Sequence, residues 1–163
     1  MLFRSESISD IVFSLDEEAI CTYINPQITR LLGVSSDDVV GNTLNRFIHP
    51  DDIEPASRYF RDVFAGTADD SPIEFRVVTK NGDHRIVRTR SRIVNRADGT
   101  HSLVGIAADI TEYRMTESAL RASEEKYRKV FENVQDVFYQ TDLAGTIVEI
   151  SPSIERYSGY PRE

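Results

Sequence analysis

Tryptophan is absent from the 163 residues and cysteine occurs once, at Cys21. A single thiol excludes an internal disulfide and any multi-cysteine metal site. No apolar run approaches the ~18 residues that span a bilayer. The opening stretch MLFRSESISDIVFSLDEE carries Asp10 early and has no long apolar core, so it does not read as a secretory signal, and a cytoplasmic location is expected. Gly-rich phosphate loops and nucleophile elbows are missing. None of the three histidines pairs with another at helical spacing, which removes that kind of metal site. Basic residues are also short: 19 against 27 acidic, a net charge of −8, which disfavours nonspecific nucleic-acid binding. Catalysis by this chain itself is therefore not expected. Apolar residues at 40% and charged residues at 28% are ordinary for a folded globular chain.

What is present begins with a repeat. Shifting the chain by 126 positions aligns residues 8–37 with 134–163 without a gap. Asp10, Asp16, Ile24, Pro26, Ile28, Arg30 and Gly33 recur as Asp136, Asp142, Ile150, Pro152, Ile154, Arg156 and Gly159. The second copy stops at Glu163, barely past its first helix. The expected organisation is a complete domain over 1–111, a linker helix over 112–135 and the start of a second domain over 136–163. The parent protein is expected to be longer.

Residues 11–15 and 19–24 are β-branched and aromatic runs around Asp16-Glu17-Glu18, and predict a hairpin. Asn25-Pro26 reads as a helix start and Gly33 as its stop. Residues 35–48 predict brief helical turns broken at Gly41. His49-Pro50-Asp51-Asp52 reads as a helix entrance with Asp52 as the N-cap, a structural role rather than a metal or acid–base site. Ala56, Tyr59, Phe60, Val63 and Phe64 then fall at amphipathic-helix spacing. Alternation resumes in Ile73, Phe75 and Val77, turns at Asn81-Gly82 and continues through 84–94. In that run Val87, Thr89, Ser91 and Ile93 share one face, and Arg88, Arg90 and Arg92 the other. Asp98-Gly99 marks another turn before a last strand at 102–110. Residues 112–135 contain no Gly or Pro. There Tyr113, Leu120, Tyr127 and Val134 recur every seven residues, a heptad-like seam. The predicted class is α+β: a five-stranded antiparallel sheet with helices on one face, then a long C-terminal linker helix.

These segments together resemble the PAS (Per-Arnt-Sim) sensor domain with its C-terminal PAC stretch. The residues that carry the likeness are Asp16, Asn25-Pro26, Leu32-Gly33, Gly41, His49-Pro50-Asp51-Asp52, Glu74-Phe75-Arg76, Asn81-Gly82, Gly105 and Asp109-Ile110-Thr111. The helix through Ala119–Tyr127 resembles the connector of tandem PAS domains in bacterial and archaeal sensor histidine kinases. Ile86 departs from the pattern, since many members place a tryptophan there. The resemblance implies sensing rather than catalysis. A cavity between sheet and helices holds a small molecule or cofactor, and the exit helix relays its state to an output domain, often in a homodimer formed through that helix or the sheet face. Tyr59, Phe75, Thr89, Ser91 and Ile106 are then candidates for a ligand pocket, and Asp109, Thr111, Tyr113, Leu120 and Tyr127 for signal relay. An ordinary filled core, with the Thr89 and Ser91 hydroxyls bonded to backbone, is the competing reading of that strand face. The cofactor is not legible. A covalent flavin adduct is disfavoured because Asn45 stands where the photoactive subclass needs a cysteine. Haem is disfavoured because residues 53–65 offer no axial histidine. A lone Cys21 reads first as a small buried hydrophobe. The alternative function is a ligand-free dimerisation or docking module.

Overall fold

The protein is described from a computed structural model covering residues 10–68, 71–95, 99–133 and 136–159. Asp98 of the second turn, Val134 of the helical seam and the outer ends of both repeat copies lie outside these residues. The chain forms two compact units, Met1–Arg114 and Met115–Glu163.

In the first unit, β1 (Ile11–Leu15), β2 (Cys21–Ile24), β3 (Ile73–Val78), β4 (His84–Asn95) and β5 (His101–Asp109) form one antiparallel sheet in the order β2-β1-β5-β4-β3. Between β2 and β3 lie α1 (Gln27–Leu32), α2 (Ser36–Val39), two short 3-10 turns at Leu44–Phe47 and Pro50–Asp52, and α3 (Ile53–Phe64). Strand alternation puts Ile11, Phe13 and Leu15 of β1, Val87 and Thr89 of β4, and Leu103 and Ala107 of β5 on the buried face. Helical spacing buries Ile28 and Leu32 of α1 and Ala56, Phe60 and Val63 of α3 against them. Cys21 is part of this core, and burial pushes its thiol pKa up. Helix α2 carries a full capping box: Ser35 Oγ accepts the Asp38 N–H while the Asp38 carboxylate accepts the Ser35 N–H.

The helix entrances differ in detail from expectation. Pro26 itself occupies the N-cap position of α1, and the Asn25 amide donates to the Asp10 carbonyl at 3.0 Å. Asp52 makes no capping bond to α3. Its carboxylate instead accepts the Arg76 backbone N–H and the Arg76 Nε, both at 2.8 Å, and the guanidinium Nη2, also at 2.8 Å. These charge-assisted bonds hold the Asp52 carboxyl down at about 2 and raise the Arg76 pKa. A two-pronged arginine outcompetes a helix N–H for the same oxygen. The His49 N–H donates to the Arg76 carbonyl at 2.9 Å, and Ile48 bridges to Val77. The His-Pro-Asp-Asp segment thus closes the free edge of β3, which would otherwise offer ladder groups to another strand.

Helix α4 (Thr111–Asn133) leads into the second unit, where β6 (Tyr139–Thr141) and β7 (Ile147–Ile150) form a hairpin followed by α5 (Ser153–Ser158). The repeat is reproduced bond for bond. Asp16 Oδ1 accepts the N–H groups of Glu18 and Ile20, and Asp142 Oδ1 those of Ala144 and Thr146. The Asn25 N–H donates to Val12 and the Ser151 N–H to Phe138. Gly33 and Gly159 end their helices at φ of 76° and 73°, a left-handed cap that glycine adopts freely. Within this unit the hairpin packs on the end of α4, with Phe131 stacked on Tyr127 and edge-to-face with Phe138, each at 5.8 Å between centroids. The Tyr127 hydroxyl donates to Glu149 at 3.0 Å, which raises the phenol pKa.

Candidate functional site

An internal cavity of about 50 Å³ lies between the sheet and the helices of the first unit. Side chains from β1, β2, α1, the Leu44–Phe47 turn, α3, β3, β4 and β5 line it, among them Phe13, Leu44, Phe60, Phe75, Val87 and Thr89. Its wall is aliphatic and aromatic, with no charged residue and Thr89 as the one polar side chain. Thr89 is fully buried, and among the described residues its Oγ1 has no hydrogen-bond partner. Phe60 is edge-to-face with Phe13 at 6.2 Å and with Phe75 at 6.5 Å, so three aromatic rings brace one side of the space.

The five residues expected to make a pocket are therefore divided. Phe75 and Thr89 line the cavity. Tyr59 lies one layer out, stacked edge-to-face on Phe60, and its phenolic oxygen accepts the Ser91 N–H at 2.9 Å. Ser91 faces the same side as Thr89 but beyond the cavity, its hydroxyl also without a partner among the described residues. Ile106 is misplaced by the sequence reading: it is 38% exposed on the opposite face of the sheet, because Leu103 and Ala107 point inward and an odd step along β5 reverses the face.

Gly105 is the residue that lets the core close. A Cβ on it would lie 2.3 Å from Phe13 Cζ and 2.7 Å from Ser91 Oγ. Glycine here is a steric requirement for the Phe13 ring and not a turn signal.

At the exit of the sheet, β3 and β4 grip the first turn of α4. The Ile110 N–H donates to the Ile86 carbonyl at 2.9 Å, and Thr111 Oγ1 accepts the Ile86 N–H at 2.8 Å. The Thr111 hydroxyl donates in turn to Asp109 Oδ1. Glu74 on β3 takes Arg114 through Nε at 3.0 Å on one carboxylate oxygen and Arg88 through Nε at 2.9 Å on the other. Arg114, then Arg88, holds the Glu74 carboxyl below its ordinary range against the opposing effect of burial. Of the residues expected to relay a signal, Asp109 and Thr111 stand at this junction, joined by that hydrogen bond. The Glu74, Arg88 and Arg114 cluster is not legible in the sequence, since three charges spread over forty residues carry no local signal of pairing. Tyr113, Leu120 and Tyr127 stand on α4 at 60%, 61% and 51% exposure. On the outer sheet face Arg88 is thus paired with Glu74, with 2.8 Å between Arg88 Nη2 and Glu74 Oε1.

An open cleft of about 530 Å³ lies outside the cavity, between the β1–β2 turn, residues 43–45 and α3. Leu44 and Phe60 belong to both linings.

A family model described as the PAS fold matches residues 22–107. An uncharacterised protein of Sinorhizobium fredii is 32% identical over 157 residues, covering 91% of this chain and 18% of that protein. A probable diguanylate cyclase of Escherichia coli is 28% identical over 116 residues, covering 70% of this chain and 10% of the relative. The chain thus spans less than a fifth of either. Among solved structures, a sensory box histidine kinase/response regulator from Burkholderia thailandensis has a TM-score of 0.57 at 25% identity, over 74% of this chain and 92% of that one.

Proposed function

The chain belongs to the PAS-fold family, and on that footing we propose that it is the sensory input and relay module of a multidomain signalling protein. Residues 1–111 sense, with the PAC stretch as their C-terminal part. Helix 112–135 relays, and 136–163 opens a second PAS domain in tandem. The ligand is a small molecule held in the central cavity. The output is a kinase of the two-component type, located elsewhere in the parent protein and in the same cytoplasmic compartment. This module works as a homodimer paired along α4, and it performs no catalysis itself.

The observation that carries the reading is an alternation of one residue. On β4, Val87 lines the cavity while its neighbour Ile86 holds Ile110 and Thr111. On β3, Phe75 lines the cavity while its neighbour Glu74 holds Arg114. A strand displaced by an occupant of the cavity moves the base of the exit helix by the same step, which is the differential contact that a two-state relay needs. The exposed seam of Tyr113 and Leu120 suits helix pairing of modest strength.

The test is cysteine cross-linking of the 163-residue chain at Tyr113→Cys and Leu120→Cys, alongside a native mass spectrum. Cys21 is buried and stays silent. The expected result is a dimer whose cross-linking rates change when the cavity is filled. A strict monomer at high micromolar concentration overturns the paired relay. A dimer whose rates ignore cavity occupancy supports the ligand-free docking module instead.

A further inference from the structure

The inner cavity and the outer cleft meet at Leu44 and Phe60, the two side chains common to both linings. The cleft adds Thr43, Asn45 and Ser57, all uncharged, together with Glu17 and Arg61. Arg61 pairs with Glu54 at 3.3 Å, and the exposed Glu17 carboxylate accepts the His101 N–H at 3.3 Å. The inner cavity has no charged residue in its lining, so an ion entering it would shed its hydration with no counter-charge to meet.

Size narrows the choice further. A water-sized group occupies roughly 10–15 Å³ on this measure, so 50 Å³ takes about three to five such groups in a row. A flat cofactor needs several hundred Å³. Water itself is a poor occupant, because a held water wants two to four polar partners and this wall offers only Thr89. The Thr89 hydroxyl, buried and unpaired, is a cost that one ligand polar atom removes once the side chain turns about χ1.

We infer that cavity and cleft form one binding path, divided by Leu44 and Phe60, for a slender uncharged ligand whose short apolar body carries a single hydrogen-bonding group, of the alcohol, ketone or amide class. The hydrogen-bonding end meets Thr89, the apolar body fills the cavity, and any longer tail passes Leu44 toward Asn45 and Ser57. This inference rests on the sensor reading and specifies what that sensor detects.

The probes are 1-butanol, 1-hexanol and butanoate, titrated into the isotope-labelled 163-residue chain. The readout is the methyl signals of Thr89, Leu44 and Val87. Saturable shifts are expected for both alcohols, with butanoate at least tenfold weaker than butanol. Thr89→Val, close to isosteric, should weaken butanol about fivefold to tenfold, a lost hydrogen bond's worth, without unfolding the domain. Leu44→Ala should favour hexanol over butanol. Butanoate binding as well as butanol, or Thr89→Val binding butanol unchanged, overturns the inference. If the alcohols fail while a native mass spectrum shows another bound mass, the ligand class falls and the sensor reading stands. If the alcohols bind and the α4 cross-linking rates do not respond, the ligand class stands and the relay falls.

Discussion

Replacing Gly105 by alanine is the most direct way to test how tightly this core is determined. The added Cβ would sit 2.3 Å and 2.7 Å from two atoms of the Phe13 ring and 2.7 Å from Ser91 Oγ. Phe13 is 3% exposed and braced by Phe60, so the ring has nowhere to retreat without leaving that contact. Overpacking of this kind costs about 1–3 kcal/mol, and losing the edge-to-face pair adds about 0.5–1.5 kcal/mol. Against this, alanine in a strand gains about 0.5–1 kcal/mol over glycine. The net expectation is a loss of about 2 kcal/mol, or a melting temperature lower by roughly 8–16 °C for a domain of this size. Urea unfolding followed by circular dichroism should show a lower midpoint at unchanged slope. The mechanism is tested by the double variant Phe13→Leu/Gly105→Ala. If the clash is with the ring, trimming it recovers at least about 1 kcal/mol relative to additivity. An unchanged midpoint for Gly105→Ala, or strict additivity in the double variant, refutes the reasoning.

Asp52→Ala should cost about 1–2 kcal/mol at pH 7, since three bonds from Arg76 are lost but the pair is partly exposed. Because the folded carboxyl sits near 2, below its unfolded value, the wild-type advantage is full above about pH 4 and fades as pH falls toward 2. Denaturant midpoints of both proteins across that range should converge at the acid end. Thr111→Val removes the acceptor of the Ile86 N–H and should raise hydrogen exchange at Ile86 and in the first turn of α4, with a loss of about 1–2 kcal/mol. Glu74→Ala removes the carboxylate that Arg114 and Arg88 share and should loosen residues 111–114 while leaving exchange at Leu103 and Ala107 unchanged.

Much of this fold is written in short-range pattern. Alternation locates β3 and β4, Asn81-Gly82 locates their turn, and the spacing of Ala56, Phe60 and Val63 predicts the helix face that the core receives. The repeat is legible as identities, and the structure adds that two of them, Asp16/Asp142 and Gly33/Gly159, make the same turn and cap hydrogen bonds in both copies. What eluded sequence reasoning is long-range competition. Asp52 satisfies every local rule for a helix cap, yet Arg76, brought beside it by the sheet, takes both of its oxygens. Ile106 is apolar and central, but only the register of β5 against β1 and β4 says which face it occupies. The cavity itself is a remainder left by the packing of fifteen side chains, and no single one of them announces its volume.

The strand order has a consequence for assembly in time. The first strand made, β1, pairs with β5, the last, and β5 fills the middle of the sheet. Such distant pairing is slow, because the loop between must close before the contacts reward it. Until β5 arrives, the β1–β2 hairpin and the β3–β4 hairpin are separate pieces with no ladder between them. Helix α4 begins only two residues after β5 ends. As the chain emerges in order, the exit helix therefore gains its footing on Ile86 and Glu74 last of all. Until then α4 lacks its bonds to Ile86 and Glu74, and so the order of the strands itself makes the junction between sheet and helix the last part of the domain to be fixed.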